Sequence, residues 1–297
     1  MSLDQLTNLI AAETTIPASA DVQKLSNAIQ AQGGVAGILF YGSGLWKAAE
    51  EDTIYDFYVL VDRFRDFDQN KIAAILGTLL APNVYYMELK DGARTLRCKY
   101  ALMRLDQFEK AAAGRAITPQ IWARFAQPCR LVYSRDTEKH TAIHNALTAC
   151  VISFHRRSLP LALPDATPRD IWLRGLQETY GAELRSEKPE RTRILFEASQ
   201  DSFTKRSELA IASLPNIPRN SKTVQIISRI KRPLQKLVVF LRLMKATMTF
   251  EGGVDYALWK VERQSGVRIE ANNFQRHYPL IAAWPLVWKL WRKGAFR

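Results

Sequence analysis

Two short stretches hold the residue types best suited to chemistry. Leu39-Phe-Tyr-Gly-Ser-Gly-Leu-Trp46 carries an apolar run into a glycine–serine turn, and Tyr55-Asp-Phe-Tyr-Val-Leu-Val-Asp62 follows after a loop. Glycine lets a backbone approach a triphosphate closely, and the Ser43 hydroxyl with the N–H groups of the turn can hydrogen-bond phosphate oxygens. Carboxylates projecting from the next strand can hold Mg2+ against an α-phosphate and stabilise an in-line displacement. A Gly-Ser-Gly turn alone is most often only a turn, and an Asp in a strand run most often marks a surface or a strand end. The order strand, turn and acid, with Gly44 and Asp56 separated by 12 positions, is what points to a phosphate ligand with a metal beside it.

The elements that must position these residues follow from hydrophobic periodicity. Ser2 to Gln32 reads as two short helices, closed by Gly33-Gly34. Val35 to Tyr41 and Ile54 to Val61 read as buried strands, with further strands over Val84–Leu89, Leu96–Met103 and Arg130–Tyr133. Helices are expected over Asp68–Leu80, Asp106–Ala113 and Pro119–Phe125. Beyond Asp136 the pattern is helical: Thr137–Phe154, Pro168–Tyr180 and one long helix over Pro189–Leu214, before a proline-containing linker to Ser221. The expected class is α/β, in three parts. Residues 1–136 form the nucleotide-handling domain, 137–215 a helical domain and 216–297 a basic amphipathic tail.

The same stretches resemble the polymerase-β-like nucleotidyltransferases, and within them the mitochondrial-type phosphatidate cytidylyltransferases, which make CDP-diacylglycerol. Tyr41-Gly-Ser-Gly-Leu-Trp46 is similar to that family's Tyr-Gly-Ser-Gly-Val-aromatic stretch, and Asp56 to Asp62 to its Asp-x-x-hydrophobic-x-Val-x-Asp. Val84-Tyr-Tyr to Asp91-Gly92, Lys99-Tyr100, Ile121 to Pro128, and Leu163-Pro-Asp to Trp172 with Gly175-Leu176 and Tyr180 follow in the family's order. The likeness runs from about Val35 to Leu214. It implies a helical second domain of winged-helix type and the reaction of CTP with phosphatidic acid to give CDP-diacylglycerol and pyrophosphate.

By that resemblance Tyr41, Gly42, Ser43 and Gly44 cradle the triphosphate, Asp56 is the first Mg2+ ligand, and Asp62 or Asp91 is a further carboxylate near the metal, the choice between them, or neither, being left open. Lys99 and Arg124 are basic contacts to the triphosphate. The nucleophile is the lipid phosphate itself, already an anion near neutral pH, so no strong general base is needed. The sequence departs from the family at two places: Arg63 to Leu80 contains no histidine, and Ala48 stands where the family has Gln. Tyr58 occupies the position of the second carboxylate of generic nucleotidyltransferases, which the lipid family itself also lacks. The competing expectations are another acceptor on the same fold (RNA, a small-molecule hydroxyl or a different lipid phosphate) and a binding module without turnover.

Charge is unevenly distributed. Asn216 to Arg297 holds 16 Lys+Arg and 4 Asp+Glu, hence 16 − 4 = +12 of the net +13. Such a segment attracts a polyanion. Ile227, Ile230, Leu234, Leu237, Val238, Leu241 and Met244 recur at three- and four-residue steps among Arg229, Lys231, Arg232, Lys236, Arg242 and Lys245, with Pro233 expected to kink or split the helix. Near the end Trp284, Trp288 and Trp291 share a helical face beside Lys289, Arg292 and Lys293, the composition of an interfacial anchor on an anionic membrane. Nucleic acid is not the expected partner, because no strand alternates aromatic with basic residues as a base-stacking sheet would. No run approaches the roughly 20 apolar residues a membrane span requires. A peripheral protein is expected, on the cytoplasmic face of a bacterial membrane or the matrix side if mitochondrial.

Three separated cysteines predict free thiols. His140 and His144, four apart on a helix, read as a surface or core pair rather than a chelate, and His155-Arg156-Arg157 as a positive cap on the helix C-terminus.

Overall fold

Val35–Tyr41 (β1) and Ile54–Val61 (β2) are runs of apolar residues buried on both faces, and they form the middle of a five-stranded mixed sheet. The computed structural model describes residues 2–46, 53–67, 70–180, 189–214, 216–249 and 272–277, with Trp288 and Arg292. Asn83–Asp91 (β3), Arg94–Arg104 (β4) and Arg130–Ser134 (β5) complete the sheet in the order β3-β4-β2-β1-β5. β2 and β4 run parallel and every other pair is antiparallel. The chain is therefore an α/β protein.

Helices cover both sheet faces. Ala20–Gln30 (α2) and Lys71–Leu79 (α3) lie on one, where Val22, Leu25, Ile29 and Ala74 pack with Ile38, Phe40, Phe57, Val59 and Leu102. Ser2–Thr14 (α1), Leu105–Ala112 (α4), Gln120–Phe125 (α5) and Thr137–Ser158 (α6) lie on the other, against Leu39, Tyr58, Leu60 and Met103. That second core continues without interruption into Pro168–Tyr180 (α7), Pro189–Glu197 (α8) and Gln200–Ala212 (α9) through Trp172, Phe196 and Phe203. The first two expected domains thus share one apolar core, which crosses residue 136. Among the described residues, 137–214 contain no strand.

The long helix expected over Pro189–Leu214 is two helices, broken at Ala198-Ser199. Residues seven apart on a continuous helix stand about 10.5 Å apart along its axis. The Phe196 and Phe203 rings instead stack at 5.5 Å with 17° between their planes, which requires the turn. Pro233 has the opposite outcome. Lys222–Thr249 (α10) runs through it as a single helix, anchored to the body at four places. Arg232 pairs with Glu178, Gln235 donates to the Ile117 carbonyl and Arg242 donates to Thr118 and Gln120. Lys245 donates to the Leu80 and Pro82 carbonyls and to Asn83 Oδ1. Burial pushes Lys245 down to about 7, while its three oxygen acceptors favour the ammonium form.

His155 does not serve as a positive helix cap. The helix continues to Ser158 and the imidazole is fully buried, with Nδ1 bonded to the Val151 carbonyl and Nε2 to Ser207 Oγ at 2.8 Å. Burial lowers it from 6.5 to about 4, so it is neutral in the fold. The unfolded chain then binds a proton in this range that the folded chain refuses. Stability is full above pH 6.5 and falls as pH drops from 6.5 towards about 4. Urea unfolding at pH 7 and pH 4.5 should show wild type losing roughly 2 kcal/mol more than His155→Asn across that interval. Equal losses would contradict a neutral buried imidazole. His144 is also buried, with Nε2 2.8 Å from Thr14 Oγ1 and its ring edge-on to His140. Cys98, Cys129 and Cys150 are buried and free.

Candidate functional site

Strand register assembles the site. Tyr41, the last residue of β1, lies directly opposite Asp56 near the start of β2, and Asp56 is paired with Lys99 on β4. Alternation along β2 puts Asp56 on the same face as Tyr58 and Leu60, the face covered by α5 and α6. The Lys99 ammonium stands 3.7 Å from Asp56 Oδ1, both side chains about one-third exposed. Beneath them Tyr41, Tyr58 and Phe125 interlock, with Phe125 edge-on to Tyr58 at 5.1 Å and to Tyr41 at 5.5 Å. Phe125 thereby fixes α5, and its neighbour Arg124 lies over the Tyr41 ring at 5.1 Å and hydrogen-bonds the Tyr58 hydroxyl. Burial raises both phenols, and the Arg124 charge opposes it.

The turn above Asp56 depends on glycine. Gly42 has φ +90 and ψ −162, a region closed to other residues, and a Cβ there would lie 3.3 Å from Asp56 Oδ2. Ser43–Leu45 forms a single 3-10 turn, closed by bonds from Leu45 N to Gly42 O and from Trp46 N to Ser43 O. The first amides of such a turn have no acceptor within it. The turn, Asp56, Lys99 and Arg124 therefore share one edge of the sheet, where, among the described residues, N–H groups and two cations meet the Asp56 carboxylate. Gly42→Ala should destabilise the fold by about 1–2 kcal/mol through backbone strain and weaken any binding of inorganic pyrophosphate at least tenfold. Wild-type pyrophosphate binding in that variant would mean that the turn does not approach a ligand.

Two expected site residues lie elsewhere. Asp62 follows the far end of β2, six residues or roughly 20 Å from Asp56, and is held by Arg135 at 2.7 Å and Lys139 at 3.3 Å. These partners keep its carboxyl below the ordinary range against the effect of burial. Asp91 pairs with Arg94 at the β3–β4 turn, on the sheet face of Leu96 and Cys98, opposite that of Asp56. It bonds Lys24 of α2 at 2.7 Å and Arg94 at 3.1 Å. Both are structural ion pairs, and neither can join Asp56 on one ion. Among the described residues no group of three or more His, Cys, Asp or Glu could hold a metal. A Mg2+ ion needs fewer protein ligands where phosphates complete its shell, and one carboxylate fits that demand.

One charged residue near Tyr58 was not anticipated there. Arg242 of α10 donates to Thr118 Oγ1 at 2.8 Å and Gln120 Oε1 at 2.6 Å, and its charge reaches Tyr58. Its positive charge was legible in the sequence; its contact across more than 120 positions was not.

Of the terminal anchor residues, Trp288 and Arg292 are helical and exposed. Trp284, Lys289, Trp291 and Lys293 lie outside the described residues. The exposed apolar stripe on α10 is described throughout: Ile226, Ile227, Ile230, Leu234, Leu237 and Leu241, flanked by exposed Lys222, Arg229, Lys231 and Lys236. No described helix is long and apolar enough to cross a membrane.

The chain is thus an α/β protein in which the β1 turn, Asp56, Lys99 and Arg124 are gathered at one edge of the sheet. No protein-family model matches the chain, and no curated protein matches it.

Proposed function

We propose that the chain is a nucleotidyltransferase that transfers the cytidylyl group of CTP to phosphatidic acid at a membrane surface. The observation that carries this reading is the seating of the Gly42-Ser43 turn against Asp56, with Lys99 and Arg124 on the same face. Turn amides and the Ser43 hydroxyl bind phosphate oxygens, while Lys99 and Arg124 neutralise the triphosphate. Asp56 is the residue that would hold Mg2+, which when bound supplies charge neutralisation along the phosphate chain. A phosphate oxygen of the lipid attacks the α-phosphorus. The bond from that phosphorus to the bridging oxygen breaks, and pyrophosphate leaves with the electron pair. CDP-diacylglycerol is the other product, and the attacking oxygen carries no proton that must be removed.

The membrane half of the proposal rests on α10. Its apolar stripe recurs every three or four residues with cations on both sides, which suits insertion at an anionic lipid surface, each cation adding about 1 kcal/mol. Leu234→Glu with Leu237→Glu should reduce sedimentation with phosphatidic-acid vesicles at least tenfold while leaving the thermal midpoint within a few degrees. Unchanged sedimentation would remove α10 from the membrane.

The acceptor is tested by following pyrophosphate release from CTP and Mg2+. The expected result is release with phosphatidic-acid vesicles and none with diacylglycerol vesicles or RNA. Release with RNA or a small alcohol instead would keep nucleotidyl transfer and remove the lipid. A competing reading, nucleotide binding without turnover, draws on Tyr58 standing where a second carboxylate would serve catalysis. It predicts CTP binding with no pyrophosphate under any acceptor.

A further inference from the structure

Near its end α10 sends Arg242 and Lys245 into the body three residues apart. Arg242 lies off the apolar stripe, whereas Lys245, four residues after Leu241, continues the line of the stripe where the helix meets the body. Their surroundings differ in kind. Lys245 is only 3% exposed and its ammonium is matched by three oxygen acceptors, the complete complement for that group. Arg242 has five donors. The bonds it makes go from Nη1 to two neutral oxygens, on Thr118 and Gln120. Its Nε is shielded from solvent and has no hydrogen-bond partner among the described residues. No carboxylate pairs with it there, although burial penalises its charge.

Its location gives that excess charge a use. Thr118 and Gln120 lead directly into α5, whose far end presents Arg124, and the charges of both arginines reach the Tyr58 hydroxyl. Lys99 lies on the same sheet face as Tyr58, and Asp56 is the carboxylate beside it. A guanidinium bound at Nη1 by neutral acceptors, with Nε unpartnered among the described residues, is suited to a phosphate group. We propose that Arg242 is a phosphate-binding residue of this site, so that the helix carrying the membrane-facing stripe also supplies one of the site's anion ligands. This rests on the reading of the β1-turn edge as a polyphosphate site. It adds that docking of α10 and occupancy of the site are coupled, because one rigid helix presents Leu237 and Leu241 outward and Arg242 inward.

The alternative role for Arg242 is a structural anchor of α10, and Gln120→Glu separates the two. The substitution keeps an acceptor at the 2.6 Å position and gives it a negative charge. As an anchor, Arg242 would be held more firmly and the site left as it was. As a phosphate ligand, its charge would be cancelled before the anion arrives. The probe is inorganic pyrophosphate with Mg2+, titrated calorimetrically into the full-length protein. Gln120→Glu and Arg242→Gln should each weaken binding about tenfold, Arg242→Lys should restore part of it, and Gln120→Glu should keep or raise the thermal midpoint. Lys205→Gln, on the exposed side of α9, should bind as wild type does. Wild-type affinity in Gln120→Glu, alongside a loss in Arg124→Gln, would overturn the role of Arg242 and leave the site reading intact. No pyrophosphate binding by wild type would overturn both.

Discussion

Asp56→Asn should lower the rate of CDP-diacylglycerol formation about a thousandfold, the several kcal/mol that a metal-held phosphate clamp supplies. The same substitution removes the carboxylate 3.7 Å from Lys99 and lifts a negative charge from the edge where phosphates would sit. CTP binding without Mg2+ should therefore be retained or strengthened, while the gain in affinity on adding Mg2+ should disappear. A variant that had merely lost its fold would lose both. The pairing of opposite signs, measured by calorimetry with and without Mg2+, thus separates a metal ligand from a structural ion pair. Binding that still improves with Mg2+ in Asp56→Asn would place the metal on another residue.

Glu13→Ala should destabilise the protein by about 3–5 kcal/mol, the characteristic cost of leaving a buried charge without its partner. Arg206 is 1% exposed, pairs with Glu13 through both Nε and Nη2, and donates Nη1 to the Ala126 carbonyl at 2.6 Å. These contacts join α1, α9 and the end of α5. Removing Glu13 strands the guanidinium beside Cys129 and Arg130. Replacing both partners, with Arg206→Met added, should recover much of the loss because no buried charge remains. Urea unfolding reports both numbers. A cost below 1 kcal/mol for Glu13→Ala would show that water or another anion reaches Arg206. Because Ala126 lies two residues beyond Arg124, Glu13→Ala should also weaken pyrophosphate binding.

Local pattern was enough to position the strands of the site. The apolar runs ending at Tyr41 and Val61 matched β1 and β2 at both ends, because central strands buried on both faces leave no ambiguity of period. Asp91 shows where motif order misleads. Gly92, with φ +61, makes the tight β3–β4 turn, and the register pairs Tyr86 with Lys99 and Asp91 with Arg94. Asp91 is five positions from Tyr86, an odd step, so strand alternation alone puts it on the opposite face. The turn at Gly92 was legible in the sequence; the register that sets Tyr86 beside Lys99 was not. Asp62 failed for a simpler reason: a strand of this length separates its two ends by more than any one ion can bridge. Arg242 had no local signal at all, since its role depends on where α10 packs. The break between α8 and α9 had none either, because Ala198-Ser199 contains neither glycine nor proline.

The most direct test of the central claim is to incubate the protein with CTP labelled at the α-phosphate, Mg2+ and phosphatidic-acid vesicles, and to measure label in the lipid extract. The account predicts label in CDP-diacylglycerol in step with pyrophosphate released. An unlabelled lipid extract from protein that binds both CTP and the vesicles would contradict it.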